Sequence, residues 1–384
     1  MIGAKPPRGH LLDHDAAPAI TMTVGVVVAL GWSLVAPSNY ERIINIGWTN
    51  RLSRDFGLGS PHDVAASILM TIFFFGVGLE LARERRRGAL AHPRHAAAPI
   101  LAAIGGMVAT ALLAVVTGLL THTPALRHGW GIPMATDIAF TLGILSLVGR
   151  GLPPTLRVFL LSLAVADDVL SVVALAVTGA ASVRLVGLVV ALAVSVAGFA
   201  LARRHASLTR RLMILGGLWI GLTVANVEPA LAGVIAGLLA PYDDVIAPRL
   251  ERATSRWSVS TVLPLYALVS CGISWNQLRW RGDTITIVIA MIAIRVVGKV
   301  VGISAGVALA RRLRLPTPAS LTGPLLRAGA VLCAIGFTVP LLFARALFAT
   351  SSGTYGAFTL GLVSASAIAA VVGGLLLRRV ARSR

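Results

Sequence analysis

Twelve apolar runs divide this chain, at about 18–36, 63–82, 96–120, 131–149, 156–178, 185–201, 212–226, 229–241, 258–276, 284–309, 325–348 and 356–377. Most are near the roughly 17–25 residues that carry a helix across a hydrocarbon layer; the eighth is short. A soluble domain of 384 residues needs more than 13% charged residues to cover its surface. Inside hydrocarbon every backbone polar group must find a partner within the protein, so only helices and closed barrels span it. Barrel strands would alternate polar and apolar residues over short segments, and these runs are continuous. The expected fold is an all-α polytopic membrane protein of about 12 transmembrane helices, forming one domain over 1–384. The long polar connection 37–60, with Tyr40 and Trp48, is expected to form an external hairpin. Pro6, Pro7, Asp13 and Asp15 make a poor signal peptide ahead of the first run, which is expected to be retained as a span.

The net charge of +19 would suit a nucleic-acid binder if it were spread over one surface. Instead the arginines cluster in alternate connections: Arg83, Arg85, Arg86, Arg87 and Arg94, then Arg150. The series continues with Arg203, Arg204, Arg210 and Arg211, then Arg249, Arg252 and Arg256, then Arg311, Arg312 and Arg314. It ends with Arg378, Arg379, Arg382 and Arg384. The opposite connections hold far fewer. By the positive-inside rule the rich side faces the cytoplasm, and both termini lie there. No nucleic-acid partner is expected. Cys271 and Cys333 lie within apolar runs and read as packing thiols.

Away from the ends of the runs, five charges remain inside them: Asp137, Asp167, Asp168, Arg295 and Lys299. Each carboxylate at mid-bilayer costs roughly 2.5–3.5 kcal/mol on insertion scales, so these groups should face one another or a cavity. Two runs carry helix breakers. In "GIPMATDIAFTLGIL", Pro133 lacks a donor and Thr136 and Asp137 compete with the backbone. In "AGAVLCAIGFTVPLLFA", Gly336, Thr338 and Pro340 cluster. Each break falls in the middle of three spans, 3–5 (96–178) and 10–12 (284–377), and these triplets enter the membrane from opposite sides. Inverted three-helix repeats, with two broken helices crossing at the midplane, are a secondary-transporter architecture.

The stretch "ATDIAFTLGILSLVGRGLPPTLRVFLLSLAVADDVLSVV" resembles the core of NhaA-type sodium/proton antiporters. The likeness extends through "MTIFFFGVGLELARERRRGAL", "AAPILAAIGGM", "LAGVIAGLLAP", "RVVGKVVGIS" and "AIGFTV", nearly the whole chain. It implies an electrogenic exchanger of Na⁺ or Li⁺ for H⁺ in the cell inner membrane, serving Na⁺ and pH homeostasis, with no cofactor. It further implies a homodimer with a hairpin in the first external connection. It places Asp137 at the helix crossing, Asp167 and Asp168 at the ion and proton site, Lys299 as the partner of Asp167, and Thr136 near the ion. Na⁺ is then expected at Asp168, Asp167 and Thr136, and cytoplasmic pH sensing at Glu80, Glu84 and Glu251.

Elementary chemistry points the same way. Na⁺ is hard and takes oxygen ligands. Adjacent carboxylates cannot both ionise cheaply, so they titrate as a pair for which proton and cation compete. Lysine can release its proton in a working pH range where arginine cannot, and Lys299 is one of only two lysines in the chain. Departures from the family pattern are Glu228 where a histidine is common, "RLERATSRW" in place of a histidine-bearing stretch, Pro340 and Cys333. Enzymatic readings fare poorly. An intramembrane aspartyl protease needs a GxGD-like motif, and a prenyltransferase needs DxxxD-type clusters; neither is present. A sodium-coupled symporter is the remaining alternative.

Overall fold

The computed structural model describes residues 10–47, 58–87, 93–148, 152–178, 184–202, 208–240, 246–280, 282–350 and 352–383. Among these the regular structure is helical, with no strand. The helices are α1 (His10–Val35), α2 (Pro37–Ile44) and α3, which runs without interruption through Pro61–Val64, Ala65–Leu69 and Met70–Arg87. Then follow α4 (Pro93–Leu120), α5 (Pro124–His128), α6 (Ile138–Val148), α7 (Pro154–Thr178), α8 (Leu185–Ala202), α9 (Leu208–Val224) and α10 (Leu231–Leu239). α11 joins Ile246–Trp257, Ser258–Val262 and Leu263–Ser270, and α12 joins Asp283–Ala293, Ile294–Gly298 and Lys299–Arg312. α13 (Gly323–Leu332), α14 (Thr338–Leu347) and α15 (Gly353–Arg382) complete the series. Among the described residues, six helices are long and apolar enough to cross a membrane, and α6, α8, α13 and α14 contain shorter apolar helices. The chain is a multi-pass helical membrane protein.

The structure departs from the sequence expectations at several points. The arginine-bearing stretch 246–257 is not a loop but the first half of α11. Ile246, Leu250 and Trp257 recur at helical spacing and give it an apolar stripe. The same helix stops at Ser270, short of 276. The Tyr40 hydroxyl lies against the Leu268 and Val269 carbonyls and accepts from the Gly272 N–H, so a side chain satisfies the last turn. Burial drives the Tyr40 phenol upward from its ordinary pKa. Pro340 does not sit in a break but in the first turn of α14, where its missing N–H has no intrahelical partner to lose. The fourth run, 131–149, is non-helical up to Asp137, since α6 begins only at Ile138. Of the expected hairpin, 37–44 is helical, and residues 48–57 lie outside the described residues, as do Arg150, Arg203 and Arg204.

Small residues bring the helices together, as expected where packing rather than hydrophobicity drives association. On α4 and α12, a Cβ at Gly105 would collide with the Gly302 carbonyl, and one at Gly306 with the Leu101 carbonyl. α3 meets α10 in the same way, through Gly78 and Gly237. α7 lies along α4 and touches α6, α13 and α14, so its two aspartates are carried to the middle of the bundle.

Candidate ion site at the crossing of two broken segments

Two non-helical stretches, 129–137 and 333–337, meet inside the protein. Their backbones bond to each other directly: the Asp137 N–H donates to the Ile335 carbonyl at 2.9 Å. The Thr136 hydroxyl donates to the Cys333 carbonyl at 2.8 Å, and the Thr141 hydroxyl to the Leu332 carbonyl at 3.2 Å. The buried Asp137 carboxylate accepts from the Phe140 N–H at 3.2 Å, at the start of α6, and from the Thr338 hydroxyl at 3.4 Å, at the start of α14. One negative charge therefore sits at two helix N-termini, where orphan donors and the positive ends of the helix dipoles favour it.

Positive charge occupies the other side. Arg295 is completely buried. Its Nε donates to the Ala334 carbonyl (2.9 Å), Nη1 to Pro133 (3.1 Å) and Nη2 to Ala135 (2.9 Å). Four residues along α12, Lys299 places its Nζ 3.0 and 3.2 Å from the two carboxylate oxygens of Asp167, and both residues are at most 1% exposed. The turn between Arg295 and Lys299 is a widened π-turn, a feature common at functional sites.

Asp168 points elsewhere. Consecutive helical residues are rotated by about 100°. Asp167 therefore faces Lys299, while Asp168 lines a cavity of about 530 Å³ with Glu80, Arg83, Arg157, Glu251, Phe73 and Leu142. At that cavity Arg83 bonds to Glu251, to Glu84 at 3.2 Å and to Glu80 at 3.5 Å. The three carboxylates singled out for pH sensing thus converge on one guanidinium. Glu84 bonds Arg83 without lining the cavity.

The far end of α3 carries a second ionic cluster. Asp63 lies 20 residues before Arg83, roughly 30 Å along a helix axis. Arg345, near the end of α14, bonds to Asp63 at 2.9 Å and approaches Glu228 at 3.7 Å. His62 is buried beside them, edge-on to Tyr355. Burial raises the Glu228 carboxyl above the usual carboxylate range, and the Arg345 guanidinium opposes the shift.

The sequence therefore located the charges inside the runs but not all their partners. Arg295 was visible as a buried charge, yet its partners are backbone carbonyls that no side-chain pattern announces. The Asp63–Arg345–Glu228 cluster joins residues 282 positions apart, and no local spacing reveals it.

Comparison with known proteins places the chain in a family. The family model described as "Na+/H+ antiporter 1" matches residues 9–377. A protein named Na(+)/H(+) antiporter NhaA from Acidovorax sp. (strain JS42) is 36% identical over 384 residues, covering 94% of this chain and 89% of its own. The protein of that name from Tolumonas auensis is 35% identical over 321 residues, covering 82% and 80%. That from Nocardia farcinica is 40% identical over 322 residues, covering 81% and 76%. With the crossing, the paired aspartates and the match along almost its whole length, this chain belongs to the Na+/H+ antiporter 1 family.

Proposed function

We propose that the protein exchanges Na⁺ (or Li⁺) for H⁺ across the cell inner membrane by alternating access, moving cytoplasmic Na⁺ out as H⁺ enters, and that it serves Na⁺ and pH homeostasis. The observation that carries this reading is the split between Asp167, sealed against Lys299, and Asp168, set against the cavity. A hard monovalent cation and a proton compete for the same carboxylate oxygens at Asp168. Asp167 and the Thr136 hydroxyl oxygen supply further ligands. Because the two carboxylates are adjacent, their protonation is coupled, so entry of Na⁺ displaces a proton. Lys299 supplies a second group able to carry a proton where an arginine could not, so that more protons than Na⁺ cross in each cycle and net charge moves.

Alternating access needs one closed side. The cavity opens beside Arg83 and Arg157, and the arginine-rich connections assign that side to the cytoplasm, with both termini there. The Asp63–Arg345–Glu228 cluster, at the other end of α3, serves as the closed external side and parts when the site turns outward. With α2 left out as too short to span, α5 and α6 counted as one span, and α13 and α14 as another, the reading counts twelve spans. Spans 3–5 and 10–12 then form inverted repeats around the crossing. The working unit is a homodimer.

The test is Na⁺-induced dequenching of a pH-sensitive dye in everted vesicles. Exchange without any organic solute is expected. Proton movement that requires such a solute would favour a symporter instead.

A further inference from the structure

Three buried carbonyls at the crossing, those of Pro133, Ala135 and Ala334, all point at Arg295. Carbonyls in a helix break lack intrahelical partners, and that of Ala334 also stands just past the C-terminus of α13, at the negative end of its dipole. They are also good ligands for a hard cation. Arginine suits their arrangement because its guanidinium is a planar fork of five donors that holds its charge permanently. The surroundings are cut to that fork. A Cβ at Gly336 would collide with Nη2 of Arg295 and stand 2.7 Å from the Ala135 carbonyl, so glycine at 336 leaves the guanidinium its space. Lys299, on the next turn of α12, is directed at Asp167 instead.

We propose that Arg295 is a positioning residue of the ion site. Its guanidinium occupies the carbonyls of Pro133, Ala135 and Ala334, locks the two breaks against each other and leaves the transported cation to side-chain oxygens. The two cations of α12 thereby divide the work. The permanent one satisfies the broken backbone, and the titratable one answers the carboxylate pair. This inference rests on the crossing being the ion site. Without Arg295, three buried acceptors lose their donor, and Thr136 and Asp137, which adjoin the Ala135 carbonyl, lose their fixed placement.

The experiment compares wild type, Arg295→Gln and Arg295→Lys in proteoliposomes, measuring the Na⁺ concentration for half-maximal exchange, the maximal rate per folded protein and the melting temperature. Exchange by the wild type and its loss in Asp168→Asn are established first in the same vesicles; a failure there counts against the ion-site reading and not against Arg295. Arg295→Gln should raise the half-maximal Na⁺ concentration at least threefold. Arg295→Lys, which restores charge but not the fork, should recover only part of that rise. A residue that merely fills space would lower melting temperature and maximal rate while leaving the half-maximal concentration within twofold of wild type. That result overturns the proposal. If Arg295→Gln does not fold, Arg295→Lys alone decides by the same criterion: a rise of twofold or more supports it, and a smaller one refutes it.

Discussion

Asp167 and Asp168 are neighbours in the chain and occupy different media. Asp167 is completely buried and closed off by a lysine at 3.0 Å, while Asp168 borders a cavity of about 530 Å³ shared with Glu80, Arg83 and Glu251. The difference arises from one helical step, a rotation of about 100°. A dry, neutralised carboxylate beside a reachable one is what a binding site needs if it is to exchange occupants without collapsing. On the proposed reading, the open aspartate exchanges Na⁺ for H⁺, and the paired one holds the structure and adds a further ligand.

The largest expected effect breaks the open half. On the proposed reading Asp168→Asn removes the group that alternates between Na⁺ and H⁺, so Na⁺-dependent dequenching should fall to background at matched expression. Near-normal dequenching would show that Asp168 is not that group.

Breaking the dry half should harm stability first. Lys299→Ala leaves Asp167 buried without its partner, and breaking a buried ion pair costs roughly 3–5 kcal/mol; a marked fall in melting temperature is expected. Lys299→Arg keeps the charge but cannot release a proton. Its melting temperature should fall less, and the exchange that survives should no longer respond to membrane potential in proteoliposomes. Potential-driven exchange by Lys299→Arg would mean that the lysine is only structural.

A smaller effect is expected at Asp137, which serves both halves by sitting at the N-termini of α6 and α14. An amide can still accept the Phe140 N–H, so Asp137→Asn should fold and transport with weakened Na⁺ affinity. Complete loss of transport in a well-folded variant would make Asp137 an obligatory ligand. The smallest effect belongs to the opposite end. Arg345→Gln removes the cation between Asp63 and Glu228, and should lower the melting temperature by a few degrees while leaving the half-maximal Na⁺ concentration within about twofold. A large change in that concentration would tie this cluster to the ion site itself.

Much of this was legible in the sequence because hydrocarbon punishes exceptions. Asp137, Asp167, Asp168 and Lys299 stand out as charges in apolar runs, and Gly336 and Pro133 as breakers within them. What remained hidden was contact over distance and contact with backbone. Tyr40 ends α11 by meeting carbonyls more than 200 residues away. Arg295 chooses three carbonyls over any side chain, and Arg345 finds Asp63 across the bundle. Pro340 misled for a local reason: a proline three residues into a helix and a proline at a break look alike in sequence. The stretch 246–257 misled because a charged helix end and a charged loop share composition.

The central claim is that Na⁺ and a proton compete at Asp168. Proton release on Na⁺ addition to the purified protein in weakly buffered detergent tests it most directly. Wild type and Lys299→Arg should each release protons as Na⁺ binds, and Asp168→Asn should release none. Release by Asp168→Asn equal to that of wild type would place the competition elsewhere and contradict the account.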